Sequence, residues 1–150
     1  IICLTDGVEY LLHDPRDLSG EVKCSEPVLT LEMGKAGSLT FTIAPTHPYK
    51  YKIKPLVSII KVVEEGKEKP LFVGRSIGDS YDFYNSGSVT CEGELGYLND
   101  SIQRPFSHEY DDGPFLQDLI KVHNSQVEDS KKFIYGTSTL NSGSYERKPR

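Results

Sequence analysis

The chain has 150 residues, which fits one domain or one domain and a piece of a second, and 37% of them are hydrophobic, enough to bury a core. Its net charge of -5 comes from well-mixed charges that set up no broad positive field, so direct nucleic-acid binding is not expected. The longest apolar run, residues 56–63, is interrupted by Ser58 and Lys61 and falls short of the roughly 20 residues a spanning helix requires, so no membrane insertion is expected.

The first four residues have no basic segment before them and no small-residue cleavage site after them, so they read as a trimmed beginning rather than a signal peptide. Two apolar runs, 1–4 and 8–12, flank Thr5-Asp6-Gly7, and Asp-Gly accommodates the positive φ of a tight hairpin. A Pro, Asp, Ser and Gly loop over 13–20 follows. Leu29, Leu31 and Met33, then Leu39, Phe41 and Ile43, alternate with polar or small residues around Gly34-Lys35-Ala36-Gly37, which predicts a second hairpin with one face in the core. Its opposite, Thr-rich face is predicted to meet solvent or another polar surface.

Pro45-Thr46-His47-Pro48-Tyr49 breaks the strand, and an irregular or short helical crossover is expected up to Pro55. Residues 56–64 and 71–83 form a long hairpin around a charged loop, with the odd positions Leu71, Val73, Ile77, Tyr81 and Phe83 expected on the apolar face. Gly74 and Gly78 mark bulges or bends that curl the sheet towards closure. Asn85-Ser86-Gly87 turns the chain into a strand over 88–95, with Val89, Cys91 and Leu95 on one face.

A short helix is expected within 96–102, ending before Pro105. Asp111-Asp112-Gly113-Pro114 then opens the main helix, with Phe115, Leu116, Leu119, Ile120, Val122 and His123 in an apolar stripe expected to pack on the sheet. Phe133-Ile134-Tyr135 reads as one more strand, and 137–149 as a polar loop. Arg147, Lys148 and Arg150 read as a solvated basic tail. The fold class expected is a β-rich α+β domain, a curved antiparallel sheet or small β-barrel with one main α-helix. Residues 1–106 form the β-rich domain, and 107–150 carry the helix, a short strand and the start of a following domain.

The chemistry-bearing residues lack the spacing that chemistry needs. Cys3, Cys24 and Cys91 are an odd number without CxxC spacing, which argues against a disulfide scaffold and a zinc site and favours assembly in a reducing compartment. Cys91 reads as a core thiol, and His13, His47, His108 and His123 are too far apart for a short-spaced metal pair. Glu92 and Glu94 share a strand face and are expected to point to solvent or an interface. No phosphate-binding glycine motif is present. No catalytic, metal or cofactor residue is assigned, and the chain is expected not to be an enzyme. His47 and Tyr49 sit in a stiff loop that either displays an imidazole and a phenol together or simply buries Tyr49, the second being the expected case.

The order Tyr10-Leu11-Leu12-His13-Asp14-Pro15, Gly34-Lys35-Ala36-Gly37-Ser38-Leu39 and Ile43-Ala44-Pro45-Thr46-His47-Pro48-Tyr49 resembles the N-terminal region of tail-tip proteins of phages and prophages of Gram-positive bacteria. The likeness continues through Phe72-Val73-Gly74-Arg75, Cys91-Glu92-Gly93-Glu94-Leu95, Ser101-Ile102-Gln103-Arg104-Pro105 and His123-Asn124-Ser125-Gln126-Val127, nearly the whole chain.

The resemblance implies a baseplate-hub-like tube domain, three copies closing around the tail channel, attached to the distal tail protein and carrying receptor-binding or wall-degrading parts. It implies a virion structural protein of the tail tip, a homotrimer at full length, assembled in the bacterial cytoplasm. The expected interface residues are Thr30, Glu32, Thr40 and Thr42 on the polar strand face, with His47 and Tyr49 in the stiff loop. Two other readings stay open: a tail-associated peptidoglycan hydrolase whose catalytic domain lies outside this chain, and a carbohydrate-binding β-domain, for which nine tyrosines speak and the absence of Trp does not.

Overall fold

In the computed structural model, which describes residues 1–108, 112–136 and 145–147, the chain divides into two units, Ile1–Leu95 and Gly96–Arg150. The fold is β-rich α+β. The first unit is a curled seven-stranded antiparallel sheet made of β1 (Ile2–Thr5), β2 (Val8–Leu11), β3 (Cys24–Thr30), β4 (Ser38–Ile43), β5 (Ile59–Val62), β6 (Phe72–Tyr81) and β7 (Gly87–Gly93). Their spatial order is β2-β1-β5-β6-β7-β4-β3, so among the described residues the sheet ends on two edge strands, β2 and β3.

The β1–β2 turn is the expected two-residue one, with Asp6 at φ 52° and Gly7 at φ 78°. β4 is the best-read strand: Leu39, Phe41 and Ile43 are buried and the intervening residues half-buried. They pack with Cys3, Leu12, Ile60, Phe72, Val89 and Cys91 into the core of the half-barrel.

β3 departs from its expected position. It starts at Cys24, is shifted by a bulge between Ser25 and Val28 with Glu26 at φ 49°, and ends at Thr30. Leu31 and Met33 therefore lie beyond the strand, in a loop where Lys35 N–H donates to the Glu32 carbonyl, and Met33 is 100% exposed.

The phase of β6 is the reverse of the expected one. Phe72, Gly74 and Ser76 face the core, whereas Leu71, Ile77, Tyr81 and Phe83 are exposed. The inner positions are occupied by glycine and serine because the neighbouring strand comes very close: a Cβ on Gly74 would lie 2.1 Å from the Glu92 carbonyl oxygen. Gly78 borders a true bulge, with the register shift falling between Ser76 and Gly78. Of the two glycines, Gly78 borders the register shift, whereas Gly74 stays in register opposite Gly93 and marks a close approach of the strands.

The crossover after Pro45 contains one short 3-10 turn, Lys50–Lys52, as the two prolines foretell. Ser58 anchors its far end, receiving the Lys54 N–H at 2.8 Å and sharing a buried hydrogen bond with Thr5 of β1.

The second unit holds a 3-10 segment, Glu94–Asp100 at its boundary, the helix α1 (Asp112–Asn124), and a two-stranded sheet of β8 (Phe106–His108) and β9 (Tyr145–Arg147). Two expectations change here. The strand run resumes at Phe106 instead of stopping, and part of the supposed polar tail is its partner strand, with Arg147 paired to Phe106. Lys148 and Arg150 of the basic cluster lie outside the described residues.

Phe133-Ile134-Tyr135 is not a strand. The Asn124 side chain takes both backbone groups of Phe133, Nδ2 donating to its carbonyl at 2.8 Å and Oδ1 accepting its N–H at 2.9 Å. One amide side chain thus does the work of a neighbouring strand. His123, 1% exposed, completes the clamp: Nε2 meets the Lys131 carbonyl at 3.1 Å and Nδ1 the Ser101 hydroxyl at 2.8 Å.

Candidate functional site

The polar positions expected to form an interface lie on and beside the β3–β4 hairpin. Thr40 and Thr42 are half-buried on β4, with β3 on one side and β7 on the other, while Thr30 ends β3 and is exposed. Glu32 sits in the following loop, exposed and paired with Lys35 at 2.8 Å. Register carries the polar face further than the sequence suggested: Ser38 lies opposite Glu92, Thr40 opposite Thr90 and Thr42 opposite Ser88. β4 and β7 therefore share one Ser/Thr-rich outer face, which Ser25 and Thr30 extend onto β3 on either side of Val28.

His47 is buried, and its imidazole belongs to the fold. Nδ1 accepts the Tyr49 N–H at 3.1 Å, which leaves Nε2 as the donor to the Leu12 carbonyl at 3.0 Å. That carbonyl also receives the Cys24 thiol at 3.3 Å, so one residue of the first hairpin ties down both the crossover and the start of β3. Tyr49 is half-buried against Tyr10, ring centroids 5.3 Å apart. The stiff loop is a fastening of the core: of the six expected residues Thr30, Thr40 and Thr42 lie on the sheet, Glu32 in the loop after β3, and His47 and Tyr49 in this fastening.

Glu92 is not a free carboxylate on an outer face. Its Oε1 accepts from Arg75 Nε at 2.8 Å and Nη2 at 2.6 Å, with the guanidinium buried. Arg75 and Glu92 are cross-strand partners between β6 and β7, an opposite-charge pair that could be read only once the register was known. Cys91 is fully buried, and desolvation pushes its thiol up to about 12, as it does that of Cys24. All three cysteines are free and buried, and among the described residues no group of three His, Cys, Asp or Glu side chains could hold a metal ion.

Two features that sequence reasoning missed stand out. The first is a groove of about 710 Å³ at the seam of the half-barrel. Leu11 and Val62 line it from the β2-β1-β5 side, Pro27, Leu29 and Leu39 from the β3-β4 side, and Arg16, Asp14 and Glu65 at its rim. Arg16 bridges the two acids, at 2.7 Å to Glu65 and 3.2 Å to Asp14. No local pattern announces such a groove, because its walls come from opposite ends of the sheet.

The second is the tip of the β6–β7 hairpin. Phe83 is 96% exposed and Tyr84 78%, packed edge to face at 5.4 Å and 87°. The turn beneath them is closely tied: Ser86 N–H donates to Asp82 Oδ1 at 2.7 Å, and Asn85 N–H to the Asp82 carbonyl at 3.0 Å. Lys50, 1% exposed, adds its ammonium to the Asn85 carbonyl and lies over the rings of Tyr81 at 4.7 Å and Tyr51 at 5.3 Å. The sequence shows Lys50, Lys52 and Lys54 alternating with apolar or aromatic residues and gives no sign that one of them turns inward.

No protein-family model, no curated protein and no solved structure matches this chain.

Proposed function

We propose that this chain is a structural module of a phage or prophage tail tip, a baseplate-hub-like domain joining the distal tail protein to receptor-binding or wall-degrading parts. The observation that carries the assembly role is the seam of the half-barrel. A sheet that curls but stops, among the described residues, at two edge strands, with an apolar groove between them, keeps both backbone and side-chain surface available to another chain. The tail-tip context comes from the resemblance in residues 10–49, 72–105 and 123–127.

A non-catalytic role is supported by what the reactive side chains are doing. The Cys91 thiol is held protonated in the core, and both ring nitrogens of His47 and of His123 are engaged by neighbouring groups. The partners proposed are two further copies in a full-length trimer and the distal tail protein, with the tail tip of the virion as the location. Incubating the chain with cell-wall sacculi tests the role against hydrolysis: no release of muropeptides is expected, and release by the chain alone would overturn it.

One observation favours a second reading, a carbohydrate-binding β-domain: Phe83 and Tyr84 are exposed rings on a rigid turn. Retention on a glycan matrix that is lost in Phe83→Ala/Tyr84→Ala would support it.

A further inference from the structure

We infer that residues 13–23, the connection from β2 to β3, form an acid-released strap across the seam of the half-barrel. His13, Asp14 and Asp17 hold it as hydrogen-bond acceptors and let it go as they take up protons. The device belongs to this chain's own fold and does not depend on the tail-tip reading.

β2 and β3 stand at opposite ends of the strand order, so the chain between them bridges the seam. His13, Asp14, Pro15 and Arg16 accordingly line the groove together with Leu11 of β2 and Leu29 of β3. At its β2 end the bridge starts from a fixed point. Leu12 is fully buried, its N–H donates to the Ile1 carbonyl at 2.8 Å, and its own carbonyl takes the His47 ring and the Cys24 thiol.

Beyond Leu12 the fastenings change in kind. The N–H of Cys24, the first residue of β3, donates to His13 Nδ1 at 3.1 Å, which places the proton of the neutral imidazole on Nε2. Asp17 uses both carboxylate oxygens: Oδ1 accepts the Ser19 N–H at 3.0 Å and the Ser19 hydroxyl at 2.7 Å, and Oδ2 accepts the Val22 N–H at 2.9 Å. Asp14 does the same for Arg16, Oδ1 accepting the backbone N–H at 2.9 Å and Nε at 3.2 Å, with Nη2 on Oδ2. Two backbone bonds supplement them, Asp14 N–H to the Val22 carbonyl at 3.1 Å and Asp17 N–H to the Asp14 carbonyl at 3.2 Å.

A proton on any of these three acceptors puts an N–H or O–H where a donor already points. The surroundings of His13 add to the effect. The Ile1 ammonium and Lys23 oppose a charge on its ring, Asp14 favours one, and the Cys24 thiol, pushed up to about 12 by burial, stays neutral. At the rim Arg16 faces Glu65 at 2.7 Å.

Burial first, and then the two cations, hold His13 below its ordinary value of 6.5. The Arg16 side chain holds Asp14 below 3.8, and the Ser19 hydroxyl and Val22 N–H do so for Asp17. In each case the fastened strap prefers the deprotonated group, so its hold is complete above the ordinary value and is lost as pH falls through the lowered one. His13 therefore lets go first, below pH 6.5 and at the β3 end, and the carboxylates follow below pH 3.8.

Amide exchange of the full chain tests the strap, followed residue by residue by NMR from about pH 7.5 to pH 3 and expressed as protection, which divides out the intrinsic pH dependence. Protection at Cys24 is expected to fall about two- to tenfold between pH 7 and pH 5, the fold-change of one hydrogen bond. Its midpoint is expected to coincide with the titration of the His13 ring, while Leu39 and Phe41 in β4 keep their protection. Val22 is expected to follow only in the range where the carboxylates titrate. His13→Asn, which offers an amide oxygen that does not titrate in place of Nδ1, is expected to remove the upper step and leave the lower one. Should that variant fail to fold, the coincidence of the two midpoints in wild type decides the point.

Protection at Cys24 that stays constant down to about pH 4.5 would overturn the inference. So would a loss shared equally by β4, which is unfolding of the whole unit, or an upper step that survives in His13→Asn.

Discussion

Lys50 and Asn85 are joined across the first unit, the buried ammonium of one donating to the backbone carbonyl of the other, with the Tyr81 ring 4.7 Å from the same nitrogen. A charge taken out of water needs compensation of this kind, and here the carbonyl and two ring faces supply it. The link also fixes the conformation of the tip, since Asn85 occupies the left-handed region at φ 63°.

Lys50→Met keeps most of the stem and removes the charge, leaving the Asn85 carbonyl without its donor. A loss of about 1–3 kcal/mol is expected, the cost of an unmade bond to a charged group. Urea unfolding measures it. Amide exchange at Asn85 and Ser86 is expected to accelerate more than exchange in β4; uniform acceleration would mean that Lys50 serves the core in general.

Glu92→Gln removes the carboxylate charge that Arg75 Nε and Nη2 bind and is expected to cost about 1–3 kcal/mol, towards the lower end because the carboxylate is partly open to solvent. In a cycle with Arg75→Met and the double variant Arg75→Met/Glu92→Gln, the two losses are expected to be less than additive. Additive losses in the cycle would show that the two side chains act independently.

Three of the four glycines of β6 and β7, Gly74, Gly78 and Gly93, are expected to behave differently on substitution by alanine. At Gly74 and Gly93 a Cβ would lie 2.1 Å from the Glu92 carbonyl oxygen and 1.9 Å from that of Ala36, so backbone must move and losses above about 3 kcal/mol are expected. At Gly78 nothing lies within 4 Å of the added carbon, and a change within about 1 kcal/mol is expected. Thermal unfolding of the three variants decides the point.

Desolvation raises the Cys24 and Cys91 thiols from 9.0 to about 12. A folded state that holds these protons more tightly than the unfolded chain is favoured fully below pH 9 and loses that advantage as pH rises towards 12. Stability is therefore expected to fall across this alkaline window. A thiol reagent at pH 8 is expected to label the chain only on unfolding, and prompt labelling of the native protein would contradict the burial of the thiols.

What the sequence made legible were elements whose local chemistry and tertiary role coincide. Asp6-Gly7 supplied both left-handed residues of the first turn, and Leu39, Phe41 and Ile43 alternate in the phase that the core uses. In β3, Leu31 and Met33 continue a period-2 pattern, but the Glu32–Lys35 turn takes the chain out of the sheet before they are reached. In β6 the apolar residues alternate on the wrong face, because the inner face is selected by close strand approach, which wants Gly74 and Ser76, rather than by hydrophobicity. The three-residue strands β8 and β9 are too short to show any period.

The candidate site was legible only on its polar side. Thr40 and Thr42 follow from alternation, whereas His47 could be placed only by knowing that Leu12 offers a carbonyl 35 positions away. Lys50 and Arg75 are buried against the usual preference of charged residues, and nothing local distinguishes them from their exposed neighbours. The seam groove joins residues of the first hairpin to residues of β3 and β4, so it exists only in the folded sheet.

The most direct test of the proposed assembly role is a binding titration of this chain against a purified distal tail protein from a phage of Gram-positive bacteria, followed by sedimentation of the mixture. A discrete complex is expected at about 10 µM, the range of a micromolar Kd. Two components that sediment independently at that concentration would contradict the tail-tip assignment.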